Sequence, residues 1–284
     1  MISTMRPQYT GWNPSLVMPE YRFLSNKLLF ATEFGWDSEH KLRNGNTGPL
    51  DLISGKRAGD GGDNYASNNF AYDTFGKYLA FNEVTYGNGV QWTNAQRVAW
   101  WVDNRNDIPV SIESLVYIDS SAADTTTNNR IIRFGATTGG IELYLQWDTD
   151  HWEVYASRIT TATYQRAITQ DPFPTDRWVH LVATIPSFGF GAPRIYIDAK
   201  LEAIGGVGSG TAIGTDREIR VSSPGGSDEF TGKMASLRAY RVVLTQDDVN
   251  KLYADPFGIL RQSPRGFEWV ERRPTIRVRA RGRG

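Results

Sequence analysis

From residue 176 to residue 260 the chain alternates apolar and polar side chains in short runs separated by turn formers, the pattern of half-buried strands rather than helices. Val179, Leu181 and Ala183 interleave with Trp178, His180, Val182 and Thr184; residues 194–198 make a second run, and residues 202–210 break into glycine. A third run at 217–221 leads through a Ser, Pro and Gly stretch into a long strand expected over 230–243. Thr245 then opens a short helix. Its hydroxyl and Asp248 suit a capping box, Asp247 and Asp248 suit the positive helix end, and Pro256 stops the helix. Val249, Leu252 and Tyr253 share one face of it.

Upstream, the same reading expects strands at 28–34, 78–81, 96–102, 110–118, 131–134, 141–147 and 152–156. Residues 45–62 read as a loop region, and Gly139-Gly140 and Asp148-Thr149-Asp150 as turns. Many short strands with almost no helix point to an all-β body of two packed antiparallel sheets. Residues 1–28 hold Pro7, Pro14 and Pro19 among Tyr9, Trp12, Leu16, Tyr21 and Phe23. Proline removes ladder donors while the aromatics seek burial, so an extended N-terminal arm is expected, followed by a sandwich over 29–260. Residues 261–284 form a basic C-terminal arm in which Ile276, Val278 and Ala280 alternate with Arg277, Arg279 and Arg281. Such a segment either stays solvated or adds to a sheet edge of another chain.

The segments 176–183, 195–198, 230–233 and 243–254, in that order and spacing, resemble the laminin G-like, or concanavalin A-like, jelly-roll family. Weaker similarity reaches upstream through 110–118 to about residue 28, and the ending at 252–257 looks most like versions carried by tailed phages and prophages. The resemblance implies a concanavalin A-like sandwich of two antiparallel sheets with extended arms.

Charge and composition narrow the partners. Lys+Arg and Asp+Glu both number 31, so no overall field draws the chain to nucleic acid or an anionic membrane. Without cysteine there is neither a disulfide framework nor a thiolate metal site. No apolar run approaches the roughly 20 residues a bilayer span needs, and no basic segment followed by an apolar stretch opens the chain. A protein made in a host cytoplasm and delivered in a particle is expected.

For catalysis the sequence offers little. No His-x-x-x-His or Gly-x-Ser-x-Gly motif occurs, and His180 reads as a sheet imidazole with a satisfied hydrogen bond. Some relatives are glycoside hydrolases with carboxylates in a Glu-x-Asp-x-x-Glu pattern along one strand. Glu113 with Asp119, Asp148 and Asp150 with Glu153, and Asp216 with Glu218 do not reproduce it, so no enzyme is expected. The family's calcium habit directs attention to Asp60, Asp63 and Asn64, whose glycine-rich setting reads equally as a turn. A pentraxin-type calcium site is not expected, because Val221-Ser222-Ser223-Pro224 stands where such members carry acids. Nine tryptophans and thirteen tyrosines invite sugar stacking, with Trp100, Trp147 and Trp152 as candidates and core packing as the competing reading.

The resulting expectation is a virion structural protein: a head-decoration, spike or tail-associated homo-oligomer contacting other virion proteins. Arg272, Arg273, Ile276, Arg277, Val278, Arg279 and Arg281 would anchor it. The alternative is a glycan-binding module for attachment to a cell surface or polysaccharide.

Overall fold

The computed structural model describes residues 21–33, 51–53, 59–60, 70–73, 76–81, 90–92, 109–120, 129–136, 139–148, 151–159, 164–187, 190–207, 219–221 and 232–260. The elements in order are α1 (Arg22–Ser25), β1 (Leu28–Glu33), β2 (Gly59–Asp60), β3 (Phe70–Asp73), β4 (Gly76–Phe81), β5 (Val90–Trp92), β6 (Val110–Tyr117) and β7 (Asn129–Ala136). They continue with β8 (Gly139–Asp148), β9 (His151–Ile159), β10 (Tyr164–Ile168), β11 (Trp178–Ile185), β12 (Arg194–Ile197), β13 (Lys200–Ile204), β14 (Ile219–Val221), β15 (Gly232–Tyr240) and α2 (Gln246–Ala254). A 3-10 turn, Gly258–Leu260, closes the described chain.

These strands make two antiparallel sheets, as the all-β reading expects. One runs β13-β12-β11-β6-β15-β4-β3, and β1 pairs with the second half of β15 where β4 has ended. The other runs β10-β9-β8-β7-β14-β5-β2. Strand alternation turns Ile112, Val116, Val179, Leu181, Leu237 and Ala239 of the first sheet toward Ile132, Ile141, Leu143, Leu145, Val154 and Ala156 of the second, and all join one buried cluster. Each such Val, Leu or Ile side chain contributes about 1.5–3 kcal/mol by leaving water, which makes this cluster the main stabilising element.

Part of the outer face of the eight-stranded sheet is covered as well. Val182, Tyr196 and Tyr240 pack with Tyr21 and Leu24 at α1, Val249 and Leu252 of α2, and Ile259 in a second cluster. Consequently β6 and β11 are buried on both sides. α1, within the segment expected as the N-terminal arm, packs on this face through Leu24. Asp51 supports β1 from its other side: its carboxylate accepts from the amides of Ala31 and Ile53, both at 3.1 Å.

Helix α2 forms as its sequence expects. Thr245 Oγ1 accepts from the Asp248 amide at 3.2 Å and Asp248 Oδ2 accepts from the Thr245 amide at 3.0 Å, completing the capping box. Val249 and Leu252 are fully covered, and Tyr253 on the same side is 47% exposed. Ser111 docks the approach to the helix by donating to the Val242 carbonyl and accepting from the Leu244 amide.

Several local readings change. Gly139 and Gly140 are not a turn; they pair with Ala136 and Gly135 and begin β8. Residues 202–204 belong to β13 rather than to a glycine break, because a two-residue turn folds β13 onto β12. In that turn Asp198 and Ala199 take φ of 49° and 66°, values that favour Asn and Gly in hairpins of this type. Tertiary contacts hold them there: Asp198 accepts from the His180 amide and pairs with Arg177 at 2.6 Å, and the Ala199 carbonyl accepts from Gln246. The expected loop over 45–62 contributes β2, and the strand expected over 230–243 spans only Gly232–Tyr240. The expected strand at 96–102 lies outside the described residues.

Candidate functional site

Two groupings of polar side chains stand out, and burial separates them. The first lies under α2 on the outer face of the eight-stranded sheet. Glu113 of β6, His180 of β11, and Arg238 and Tyr240 of β15 converge there from three adjacent strands. Glu113 Oε1 meets His180 Nε2 at 3.1 Å and accepts from Arg238 Nη1 at 3.0 Å, and its Oε2 accepts from the Tyr240 hydroxyl. Arg238 also donates to the Pro256 carbonyl and lies over the Phe257 ring, while the Tyr253 ring stands 5.8 Å from His180.

Burial pushes the Glu113 carboxyl up, but the Arg238 guanidinium, His180 and the Tyr240 hydroxyl outweigh it and hold it lowered to about 2. Burial first, and then the Glu113 charge, raise the Tyr240 hydroxyl well above its ordinary value. All four side chains are at most 2% exposed. Glu113 is fully buried, and a carboxylate held this far down is a poor proton donor. The quartet ties the C-terminal helix to the sheet; it is not a catalytic dyad. His180 is the hydrogen-bonded sheet imidazole that the strand pattern implies.

The second grouping lies on the outer face of the seven-stranded sheet. Because Ile141, Leu143, Val154 and Ala156 point into the core, Glu142, Tyr144, Glu153 and Tyr155 point the other way. Tyr144 and Tyr155 are direct cross-strand partners, and their rings stack at 4.8 Å with an 11° interplanar angle. Tyr155 donates to Glu153 Oε2 at 2.8 Å, and the exposed Arg166 of β10 sits 5.6 Å from the Tyr155 ring. Burial, and then the hydrogen bond and charge of Glu153, raise the Tyr155 hydroxyl, so it stays a donor through the neutral range. One rung away, Arg133 and Glu142 pair at 3.0 Å. Tyr144 and Glu153 remain partly exposed. An aromatic pair flanked by one cation and fixed hydrogen-bonding groups suits a ligand with apolar faces and polar edges.

The residues singled out from sequence fall elsewhere or cannot be placed. Trp147 and Trp152 are cross-strand partners beside the β8–β9 turn, at the end of the same sheet. Asp60 is the last residue of β2 and pairs with Val90. Trp100, Asp63, Asn64 and the C-terminal set Arg272, Arg273, Ile276, Arg277, Val278, Arg279 and Arg281 lie outside the described residues. Among the described residues, no three His, Asp or Glu side chains group to hold a metal ion. Sequence reading missed Tyr144 and Tyr155; the signal was their positions at alternate, outward-facing sites of two strands joined by a short turn.

Comparison with known proteins gives the fold independent support. No curated protein sequence matches the chain. Among solved structures, the binding domain of botulinum neurotoxin serotype D matches with a TM-score of 0.58 at 12% identity, over 83% of this chain and 52% of that one. Trypanosoma rangeli sialidase matches with a TM-score of 0.54 at 15% identity, over 82% of this chain and 34% of that one. Domain 4 of AbnA, a GH43 extracellular arabinanase from Geobacillus stearothermophilus in complex with arabinotriose, matches at 0.50 with 20% identity, over 80% and 98%. The chain thus spans about a third of the sialidase and half of the toxin domain, and these likenesses speak to architecture. The family model described as the concanavalin A-like lectin/glucanase superfamily matches residues 85–250, most of the sandwich, and the chain belongs to that superfamily.

Proposed function

We propose that this chain is a non-enzymatic, glycan-binding domain, displayed on a tailed-phage particle and held there by its terminal arms. The stacked Tyr144–Tyr155 pair with Arg166 beside it carries the binding reading, because it places a half-buried aromatic ring next to an exposed cation on the outer face of the seven-stranded sheet. The structural neighbours support a carbohydrate ligand: domain 4 of AbnA is in complex with arabinotriose, and the botulinum neurotoxin serotype D ligand binding domain with N-acetylneuraminic acid. The phage setting rests on the residues of α2 and its exit, 252–257, which resemble phage-borne versions of this domain. Calcium, if it takes part, would act through Asp60, Asp63 and Asn64.

A glycan array with and without calcium tests the reading. Binding is expected, and Tyr144→Ala should weaken the best ligand at least tenfold, about 1.4 kcal/mol, without lowering thermal stability. Silence across the array would favour a purely structural subunit. The particle setting is tested separately: deleting residues 272–284 should reduce incorporation into purified particles, and unchanged occupancy would remove the anchoring role of the tail.

A further inference from the structure

On the outer face of the eight-stranded sheet, a second aromatic grouping stands apart from the quartet under α2. Trp178 pairs with Tyr117, and Tyr117 pairs with Lys233, so β11, β6 and β15 set three side chains on one cross-strand rung. Tyr78 of β4 joins them from two residues before Ala80, the partner of Lys233. The Trp178 ring meets Tyr78 at 5.7 Å and Tyr117 at 5.9 Å, edge to face in both cases. Lys233 Nζ lies 4.1 Å from the Tyr117 centroid and 5.1 Å from that of Tyr78. Leu115 and Ala235 form an apolar floor beneath.

Access and charge make this more than packing. Tyr78 is buried, but Tyr117, Trp178 and Lys233 are partly exposed. The nearby acid Asp198 is already paired with Arg177, and Lys200 has Glu202 at 2.8 Å; among the described residues no carboxylate pairs with Lys233. Among the described residues its ammonium is held only by ring faces. A cation positioned in this way loses little freedom on meeting an anion, and the attraction of the rings steadies it without neutralising it.

We propose that Tyr78, Tyr117, Trp178 and Lys233 form a second ligand site, selective for an acidic saccharide. Trp178 offers apolar surface to the CH groups of a sugar ring, and Lys233 meets a carboxylate or sulfate. The site does not depend on the Tyr144–Tyr155 face, which lies on the other sheet.

Calorimetric titration tests it with tri-galacturonate, its neutral methyl ester and a heparin-derived tetrasaccharide, on the full chain. At least one acidic probe should bind more tightly than the ester. Lys233→Met should weaken that binding at least tenfold and flatten its salt dependence, and Lys233→Arg should retain most of it. Trp178→Leu should also weaken it; if that variant melts early, the lysine pair carries the test alone. Equal binding of acid and ester, unaltered affinity in Lys233→Met, or no binding of either acidic probe would overturn the proposal. Loss in Tyr144→Ala with retention in Lys233→Met would also overturn it, while supporting sugar recognition on the other sheet.

Discussion

Glu113→Gln is expected to lose about 3–5 kcal/mol of stability in urea unfolding at neutral pH, a large share of what a domain of this kind possesses. The substitution keeps the side-chain volume but leaves the Arg238 guanidinium, 0% exposed, without its 3.0 Å carboxylate partner. It also turns the acceptor of the Tyr240 hydroxyl into an amide. Removing both charges should cost less than either single change implies. Glu113→Gln combined with Arg238→Met is therefore expected to be more stable than the sum of its parts, with the difference measuring their coupling. A loss below about 1 kcal/mol in Glu113→Gln would show that the quartet does not tie the helix to the sheet.

Acid should erase the same difference. The folded chain holds Glu113 at about 2 against an ordinary 4.5, so the folded form binds that proton more weakly than the unfolded form. The contribution is present in full above about pH 4.5 and disappears as pH falls toward about 2. The gap in urea midpoint between the native chain and Glu113→Gln should accordingly narrow across this window. A gap that is constant with pH would mean that the carboxylate is not ionised in the fold.

Gly205→Ala is expected to be nearly as damaging, at about 3 kcal/mol, near the upper end for an overpacked site. A Cβ there would stand 2.0 Å from the Arg166 carbonyl oxygen and 2.6 Å from its carbon. Both are backbone atoms, so no side chain can swing aside. Gly205 follows β13, the edge of one sheet, and Arg166 lies in β10, the edge of the other; the residue therefore marks the seam along which the two sheets close. Its amide donates to the Pro193 carbonyl at 2.8 Å, which keeps the chain at this approach. Gly206→Ala is the matched control, because nothing lies within 4 Å of its added atom, and it should stay within about 0.5 kcal/mol of the native chain. Similar urea midpoints for the two variants would show that the seam can open freely.

Much of this architecture is legible along the chain, wherever the information is local. Trp178 to Ile185 reads as a strand because Val179, Leu181, Ala183 and Ile185 recur at every second position facing the main core, and Thr245 with Asp248 announces its helix because the capping box spans four neighbouring residues. Failures occur where a distant contact overrides local preference. Asp198 and Ala199 take left-handed conformations without a glycine because Arg177, the His180 amide and Gln246 hold them. Gly139 and Gly140 look like a turn, yet the partner strand recruits them into β8. The candidate sites were the least legible. Trp147 and Trp152 attracted attention as tryptophans, whereas the tyrosines that stack, Tyr144 and Tyr155, are ordinary strand residues until two strands pair.

Glycine content, period-two alternation and one capped helix are enough to specify a two-sheet sandwich, because turn geometry, strand faces and helix caps each depend on residues only a few positions apart. They cannot specify that Glu113 meets Arg238 across 125 residues, that Lys233 comes to rest over Tyr117 and Tyr78, or that Gly205 touches the other sheet. Those meetings follow from the order and register in which strands pair, which depends on burying one common core at the expense of many alternative pairings. Charge, aromatic faces and close backbone approach acquire their roles only once that register has formed.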